Sequence, residues 1–367
     1  MDLNSKEYER FRHPDAKMIE HESLAQNPRT VPATPIGKPR RVGRHGEKKR
    51  GIWRRVLLLI VLVALAGAVA YAGYIGSIVA KISTNSWQIG PLASDSSGRT
   101  NVLVLGVGDS GHAGENLSDT IMLLSLDGQN HRMAQISIPR DLRVAVPGYG
   151  DKKINTANAF GGVNLAEQTV TNTFGAPINY YVKTNFSGLK DLVDAVGGVD
   201  VNVKDRLVDP EYPCDDNQYK VCGLDIEPGL QHMDGTRALQ YVRCRKGTCG
   251  NDFGRAARQQ ELLALLRPKL MDPMLLLSPT RLKHLADAAQ KGIQTDMGLV
   301  QLLELANSWR VDSANKPVNL VLSTAPGGYL RGDPSGSSDL LPIDRTFSAI
   351  SDRIQAIFTA PDTTPAQ

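Results

Sequence analysis

The chain lacks the glycine-rich loops by which many enzymes hold nucleotides. Its 367 residues contain no Walker A loop and no Rossmann fingerprint, in which a glycine-rich turn joins a strand to a helix. No internal repeat is present, and residues 1–55 carry no helix-turn-helix pattern. These absences argue against a nucleotide-driven enzyme, a repeat protein and a DNA-binding regulator.

Charge is missing from one long stretch, Val56–Ala80, which has 25 residues and no Asp, Glu, Lys or Arg. As a helix this stretch would span roughly 37 Å, enough to cross a bilayer with some tilt. It is too long, and begins too far from the N-terminus, for a cleaved signal peptide. We therefore predict one transmembrane helix over residues 56–80.

The two sides of this stretch differ in charge. Residues 1–55 hold 14 Lys and Arg against 7 Asp and Glu, whereas residues 56–367 hold 28 against 31. Lys81 is the one charge close behind the stretch, and five basic side chains crowd its front: Lys48, Lys49, Arg50, Arg54 and Arg55. The positive-inside rule predicts a disordered, basic cytoplasmic tail over 1–55 and an extracellular C-terminal part. A basic run beside a membrane suits anionic lipid better than nucleic acid.

Cysteine is scarce, and all four cysteines lie on the predicted outer side of the membrane. An even number in an oxidising compartment predicts disulfides, and we favour the local pairs Cys214–Cys222 and Cys244–Cys249. Zinc is the alternative, although seven and four intervening residues are poor spacings for a zinc ribbon or knuckle.

Short apolar runs and helical patterns alternate irregularly from Asn101 onward. This mixture predicts a layered α/β/α domain with a central mixed sheet over residues 101–359, after a linker over 81–100 and before a disordered tail over 360–367. Predicted strands cover 102–107, 120–126, 133–138, 180–186, 199–203 and 319–323. Predicted helices cover 164–174, 187–196, 235–242, 252–267, 279–291 and 297–309.

Positive charge concentrates at one predicted helix start. Arg243 and Arg245 come shortly before it, and Asp252 is a plausible N-cap. The helix then places three side chains close to one face: Arg255, Arg258 and Gln259. A helix N-terminus favours anions, and guanidinium groups add forked donors that suit phosphate oxygens. A phosphate or pyrophosphate ligand explains this charge, whereas a solvated basic helix paired with carboxylates is the alternative.

Two acidic residues lie at the ends of adjacent predicted strands. Asp109 follows the first strand and Asp119 precedes the second. Carboxylates placed there can converge on Mg²⁺, which takes one or two carboxylates plus substrate phosphates; turn capping is the alternative. Arg140 ends the third strand, and Lys153 follows as either a ligand or an ordinary surface lysine.

Together these pieces resemble the LytR-CpsA-Psr family of cell-envelope enzymes. The resemblance covers about residues 101–270 and rests on an ordered set of motifs: Leu105-Gly106 through Asp109, Ser118-Asp119-Thr120, Ile138-Pro139-Arg140-Asp141, Lys153-Ile154-Asn155, Tyr241-Val242-Arg243 with Arg245, and Asp252-Phe253-Gly254-Arg255 through Gln260. A cytoplasmic tail, one membrane helix and an external domain also match the topology of that family.

The resemblance implies a phosphotransferase that moves an anionic glycopolymer from a polyprenyl-pyrophosphate carrier onto a cell-wall hydroxyl, usually on peptidoglycan. It implies that Asp109 and Asp119 hold Mg²⁺ (or Mn²⁺), and that Asp252 orients arginines or takes the acceptor proton beside Arg140 and Arg255. The implied pyrophosphate ligands are Arg140, Lys153, Arg243, Arg245, Arg255, Arg258 and Gln259. The polyprenyl tail is expected in an apolar tunnel between sheet and helices.

One position departs from the family pattern. Leu117 stands where members commonly carry arginine, so one expected phosphate contact is either missing or supplied by another residue, with Lys153 and Arg143 as the candidates. His112, in the same loop, is expected to be an exposed residue without a catalytic role. Two other functions remain compatible with the sequence: a non-catalytic polyprenyl-phosphate binding protein, and a phosphatase that releases the lipid pyrophosphate to water.

Overall fold

The computed structural model describes residues 47–84, 90–111, 114–214, 219–270, 272, 278–308 and 317–359. The predictions for residues 1–46, for His112 and for the tail 360–367 lie outside these ranges. The chain divides into two compact units, Met1–Val63 and Ala64–Gln367.

The larger unit mixes helices and strands, as predicted. Its helices, with the long first helix that it shares with the smaller unit, are α1 Glu47–Ile82, α2 Thr156–Phe174, α3 Phe186–Ala195, α4 Gly235–Arg243, α5 Asp252–Leu270, α6 Pro279–Gly292, α7 Leu299–Ser308 and α8 Ser348–Gln355. Its strands are β1 Arg99–Val107, β2 Ser118–Asp127, β3 Arg132–Ser137, β4 Arg143–Val146, β5 Gly150–Lys153, β6 Tyr180–Thr184, β7 Val199–Val203, β8 Leu207–Asp209, β9 Leu224–Ile226, β10 Gly229–Met233, β11 Ile293–Thr295, β12 Val318–Val321, β13 Leu330–Gly332 and β14 Leu340–Pro342.

Six strands form one central sheet in the order β11-β6-β1-β2-β3-β12. The pairs β1–β6 and β3–β12 are parallel, and β1–β2, β2–β3 and β6–β11 are antiparallel. The sheet is therefore mixed. The β1–β2 register pairs Val107 with Ser118 after an irregularity at Gly106, so the end of β1 and the start of β2 meet at one edge of the sheet.

Alternate residues of the central strands are buried against helices on both faces of the sheet. On one face Leu103, Leu123 and Ile136 pack in a core with Phe174 of α2 and Ile350 of α8. On the other face the same strands pack against α5 and α7 through a second set: Val102, Met122, Leu124, Met133, Leu263, Met297 and Leu305. Successive side chains of a strand point to opposite faces of the sheet, so each face has its own apolar core. Helices cover both faces, which confirms the α/β/α prediction.

The segment that carries all four cysteines packs beside the sheet around a third apolar core, made by β7, β8, α4 and α5. Cys214 is bonded to Cys222, and Cys244 to Cys249, as the sequence predicts. The buried carboxylate of Asp209 lies in this segment. It accepts hydrogen bonds from the backbone N–H groups of Glu211, Arg245 and Lys246, each at 3.1 Å, and so joins the turn after β8 to the loop closed by Cys244–Cys249.

Helix α1 is longer than the predicted membrane segment. Among the described helices, its part Trp53–Lys81 is long and apolar enough to cross a membrane. Within the larger unit, however, the last turns of α1 are not free. Ile78 and Val79 are buried, and Ile78 packs with Tyr71, Ile75 and Ala286 of α6.

The predicted linker needs correction where it is described. Ser83 forms a bridge to Thr295 of β11, and the Ala93 N–H donates to the Tyr180 hydroxyl at 2.8 Å. The Leu92 N–H also donates to Glu304 of α7. The described residues of 81–100 are therefore part of the folded unit. Low apolar content concealed this stretch, which is held by backbone hydrogen bonds and by the packing of Leu92 against the core.

Candidate active site

A polar cleft opens at the sheet edge where β1 ends, β2 begins and β3 ends. The first turns of α5 and the segment that follows α4 complete it. The side chains around it are mostly charged or polar and include Asp119, Thr120, Arg140, Asn155, Phe186, Tyr212, Arg243, Arg245, Lys246, Arg255 and Gln259. Most residues that the sequence singled out are therefore brought together from five separate elements.

One side of the cleft, the sheet wall, is lined by Asp119, Arg140 and Arg255, and we include in it Asp252, which contacts both arginines. The Arg140 guanidinium donates to Asp119 Oδ1 at 2.6 Å, and its Nε lies 3.7 Å from Asp252 Oδ2. Arg255 Nη1 lies 3.1 Å from Asp252 Oδ1, and its Nη2 donates to the Asp119 carbonyl oxygen at 3.2 Å. Two guanidinium groups and two carboxylates thus alternate in one network.

The charges of this network are not balanced equally. Burial lowers the pKa of Arg140, but the charges of Asp119 and Asp252 overcome this effect and raise it. For Arg255 burial dominates and lowers the pKa, despite the nearby Asp252. A guanidinium stays protonated in proteins, so this lowered pKa means that the buried cation is incompletely compensated. An anion in the cleft would supply the missing negative charge.

The opposite side, the disulfide wall, consists of Tyr212, Arg243, Arg245 and Lys246. The Arg243 guanidinium lies 4.2 Å from the ring centre of Phe186 and 5.6 Å from that of Tyr212. Arg243 and Arg245 form no ion pair with a carboxylate among the described residues. Lys246 is 3.7 Å from Glu211, with both side chains exposed, and such a pair is weak. This wall therefore presents two arginines that stacking and backbone bonds position and that form no ion pair within the part of the chain that the structure describes.

Gln259 bridges the polar cleft and a neighbouring apolar pocket. Its amide donates to Thr120 Oγ1 at 2.8 Å, and both residues line the two spaces. The apolar pocket lies between the sheet and the helices, and its lining includes Val104, Met122, Leu189, Leu239, Val242, Leu262, Leu263 and Leu266. Arg243 and Phe186 also face both spaces. The expected apolar tunnel thus has a counterpart that opens at the arginines.

Arg258 is a correction to the predicted phosphate set. Its buried guanidinium donates to the backbone carbonyl oxygens of Tyr241 at 2.9 Å and Cys249 at 3.0 Å, and also to that of Cys244. Although it shares a helix with Arg255, it holds α4 and the Cys244–Cys249 loop against α5 and does not line the cleft. Helical spacing did not separate these two arginines, because they lie less than one turn apart.

Lys153 and Arg143 also lie outside the cleft lining. Lys153 Nζ is 2.6 Å from Asp141 Oδ1, and Arg143 Nη1 is 2.9 Å from Asp339 Oδ2. Neither side chain therefore supplies the contact that an arginine would make in place of Leu117. Leu117 lines the cleft, and the further cation that the structure places there is Lys246.

The two aspartates predicted to hold a metal have different surroundings. Asp119 lines the cleft, with Oδ1 engaged by Arg140. Asp109 accepts hydrogen bonds from the Ser187 N–H and hydroxyl, both at 3.0 Å, at the start of α3. Both aspartates lie near the edge of the sheet where β1 ends and β2 begins. Their carboxylate oxygens are the ligand atoms that Mg²⁺ prefers. The donor chemistry fits Mg²⁺, with Asp119 as the better placed of the two toward the cleft.

Sequence reasoning missed Phe186, Asp209, Tyr212 and Lys246. Phe186 and Tyr212 flank an arginine from distant parts of the chain, and no local pattern announces such stacking. Asp209 resembles an ordinary turn residue because it precedes Pro210. Lys246 carried a signal that could have been used, since it directly continues the run Arg243–Arg245.

Comparison with known proteins gives a consistent result. A sequence model of the LytR_cpsA_psr family matches residues 77–330. The polyisoprenyl-teichoic acid–peptidoglycan teichoic acid transferase TagU of Bacillus cereus is 32% identical over 275 residues, which cover 72% of this chain and 84% of that protein. TagU of Bacillus anthracis is 33% identical over 231 residues, which cover 63% and 71%.

Solved structures agree with the sequence comparison. Bacillus subtilis TagV superposes with a TM-score of 0.56 and 26% identity over 71% of this chain and 97% of that one. TagT bound to LI-WTA gives a TM-score of 0.54 and 25% identity over 75% and 95%.

Proposed function

The chain belongs to the LytR-CpsA-Psr family, and from this membership we propose that it transfers an anionic glycopolymer from a polyprenyl-pyrophosphate carrier onto a peptidoglycan hydroxyl. It is a glycopolymer transferase, as its TagU relatives are named. The acceptor oxygen attacks the phosphorus next to the glycan, and the P–O–P bridge breaks. Polyprenyl phosphate leaves, the hydroxyl proton is released to solvent, and the glycan is joined through a phosphodiester.

The observation that carries this proposal is the junction between the apolar pocket and the cationic cleft. A polyprenyl pyrophosphate is a long apolar chain with a compact double anion at one end. Arg243 and Gln259 lie where the two spaces meet, so a lipid tail in the pocket would place its head group at the arginines. Most enzyme clefts that bind free phosphates have no need for such an apolar extension.

The phosphate ligands we propose are Arg140, Arg243, Arg245, Arg255 and Gln259. Phosphoryl transfer depends on charge neutralisation and in-line positioning more than on covalent chemistry. The incompletely compensated Arg255 and the unneutralised arginines of the disulfide wall meet that need from two sides. Asp252 has one oxygen toward each guanidinium of the sheet wall, which supports an orienting role over that of a free base.

Asp119 and Asp109 are the residues we propose for Mg²⁺ or Mn²⁺. When bound, the ion would neutralise phosphate charge and improve polyprenyl phosphate as a leaving group. The protein side chains hold and orient the diphosphate in either case, through the guanidinium groups described above.

Helix α1 supports a further proposal, a single-pass membrane anchor with the N-terminus in the cytoplasm and the catalytic unit outside. This orientation rests on the basic run before Val56 and the scarcity of charge behind it. Because Tyr71, Ile75 and Ile78 pack with Ala286 of α6, the anchor would hold the folded unit close to the bilayer, where a lipid carrier presents its head group.

The test is a transfer assay with full-length protein in detergent, a synthetic polyprenyl-pyrophosphate glycan as donor and peptidoglycan fragments as acceptor. We expect transfer that stops on addition of chelator and resumes with Mg²⁺. Donor hydrolysis without transfer would favour the phosphatase, and donor binding without turnover would favour the carrier-binding protein. Either result would overturn the transferase proposal.

A further inference from the structure

Asn155 occupies a central position that the roles above leave unused. It follows β5 and immediately precedes α2. Its backbone N–H donates to the Arg140 carbonyl oxygen, and its carbonyl oxygen accepts from the Ser118 N–H, both at 3.3 Å. The residue thus joins the loop that carries Arg140 to the strand that carries Asp119. The residue also lines the polar cleft.

The usual structural reason for an asparagine at this position does not apply. Asparagine is favoured before a helix because its side-chain oxygen accepts hydrogen bonds from the first N–H groups. Asn155 has α-helical φ and ψ of −63° and −21°, and its side chain makes no capping bond. The amide is therefore available for another partner.

The side-chain oxygen of Asn155 is buried and has no hydrogen-bond partner within the described residues. The whole residue is 7% exposed. A buried acceptor without a donor is costly and is rare in folded proteins unless a ligand or a water completes it. Because the residue lines the cleft, the missing donor is expected from a molecule bound there.

The chemistry of the atom selects among the substrates. An amide oxygen accepts hydrogen bonds and cannot donate them. Pyrophosphate oxygens are ionised near neutral pH and also accept, so they would not satisfy this atom. The acceptor sugar, by contrast, brings a hydroxyl proton that must point away from the phosphorus under attack. The nearby Arg140 and Asp119 place Asn155 beside the proposed phosphate and metal ligands.

We propose that Asn155 receives the attacking hydroxyl of the acceptor through a hydrogen bond to its side-chain oxygen and so positions that hydroxyl for attack. This inference rests on the proposed transferase function. It makes Asn155 a residue for acceptor recognition, distinct from the arginines that bind the donor. It does not make Asn155 the base, since an amide oxygen does not take up the proton.

Asn158 provides a matched control. It lies one turn further along α2, is 5% exposed, and its side-chain oxygen also has no partner among the described residues. Its amide nitrogen donates to the Asn116 carbonyl oxygen at 2.8 Å, and the residue does not line the cleft. Replacement of either asparagine by alanine removes the same side-chain atoms, in one case just before α2 and in the other within its first turn.

The experiment measures the KM for acceptor and for donor separately, with full-length protein, the synthetic donor and peptidoglycan fragments. For Asn155→Ala we expect kcat/KM for the acceptor to fall about tenfold or more, because one hydrogen bond to a reacting group is lost. The donor KM should stay within about threefold of the parent value, as for any group that does not touch the donor. Asn158→Ala should leave both parameters near those of the parent.

Asn155→Asp retains an oxygen acceptor and should keep the acceptor KM near the parent value while its added charge raises the donor KM. Thermal unfolding of all variants checks that they fold. An unchanged acceptor kcat/KM in Asn155→Ala would overturn the inference. So would equal losses for both substrates, or recovery at raised Mg²⁺, which would identify a donor or metal ligand. Absence of transfer by the parent protein would instead reject the proposed function itself.

Discussion

The two walls of the cleft carry similar positive charge but hold it in different ways. On the sheet wall, Arg140 and Arg255 alternate with Asp119 and Asp252 at 2.6 to 3.7 Å. On the disulfide wall, Arg243 is held by aromatic rings, and the backbone of Arg245 is held by Asp209. The first wall neutralises much of its own charge, whereas the second presents its charge to whatever enters the cleft.

This difference predicts how each wall responds to substitution. Loss of a sheet-wall residue removes a ligand contact and also leaves a partly buried partner unpaired. Loss of Arg243 removes a ligand contact and its stacking on Phe186, but it leaves no ion-pair partner unpaired among the described residues. Substitutions in the sheet wall should therefore lower both transfer activity and stability. Substitutions in the disulfide wall should lower activity with less effect on stability.

The largest effect is expected at Asp119. Asp119→Ala removes a proposed metal ligand and the partner of Arg140, so transfer should fall about a thousandfold, since Lewis-acid stabilisation is worth several kcal/mol. Initial transfer rates across a Mg²⁺ titration measure this. Asp127→Ala breaks a comparable Asp–Arg pair away from the cleft and should leave the rate unchanged. If Asp119→Ala transferred glycan at the rate of the parent protein, the assignment of Asp119 as a metal ligand would be wrong.

Arg258 tests whether two arginines of α5 have separate roles. Arg258→Ala leaves three backbone carbonyl oxygens without their donor and should reduce the free energy of unfolding by about 3 kcal/mol. Donor affinity of the folded fraction should be kept. Urea unfolding and donor binding measure the two quantities. Arg255→Ala should do the reverse, with a larger loss of binding than of stability; equal behaviour of the two variants would be evidence against the distinction.

Arg243 tests the disulfide wall directly. Arg243→Ala should lower kcat/KM for the donor about ten- to a hundredfold, because one charge-assisted phosphate contact is worth about 1.5–3 kcal/mol. Arg243→Lys should recover part of this loss, since it restores charge but not the forked donors. Thermal unfolding should change less than in Arg140→Ala. A loss of stability as large as that of Arg140→Ala would remove the proposed difference between the walls.

The Cys244–Cys249 bond should have a moderate effect. Replacement of both cysteines by serine releases a short loop and should cost about 2 kcal/mol of unfolding free energy. Because Arg243 and Arg245 flank Cys244, donor affinity should fall severalfold as well. The matched double variant at Cys214 and Cys222 should lose stability with a smaller change in donor affinity. If donor affinity fell more in the Cys214/Cys222 variant, the Cys214–Cys222 bond rather than Cys244–Cys249 would position the cations.

The smallest effect concerns pH and lies outside both walls. Burial, together with the charge of Asp296, raises the pKa of Glu167 to about 7. Folding therefore favours the protonated carboxyl, and its contribution to stability is full below the unfolded pKa of 4.5 and is lost as the pH rises through about 7. Glu167→Gln should gain stability relative to the parent at pH 8 but not at pH 4. Urea unfolding at both values measures this, and an identical pH dependence would contradict it.

The sequence predicts the layers of the fold well because period and length are local properties. The strands over 102–107 and 120–126 and the helix start at Asp252 are predicted to within about three residues of their observed bounds. Helix α2 begins at Thr156, eight residues earlier than predicted. The prediction missed its first turns because Gly161 and Gly162 interrupt the helical backbone there. Short pairs such as β4–β5 carry too few apolar residues to be predicted.

The site was predictable where chemistry is carried by motif residues and less so where it depends on long-range packing. Asp119, Arg140 and Arg255 converge as expected, since strand ends and a helix start meet at one sheet edge. Arg258 was misassigned because helical spacing does not show which neighbour a side chain bonds. Phe186 and Tyr212 were not foreseen, since their contact with Arg243 depends on how distant segments fold together.

The central claim is that the cleft moves a glycan phosphate from a lipid carrier to a hydroxyl. Mass spectrometry of both products of a reaction by the full-length protein tests it most directly. The account predicts polyprenyl monophosphate in equal amount to glycan joined to peptidoglycan through a phosphodiester, with both products lost in Arg255→Ala. Release of intact polyprenyl pyrophosphate, or of free glycan phosphate with unmodified peptidoglycan, would contradict it.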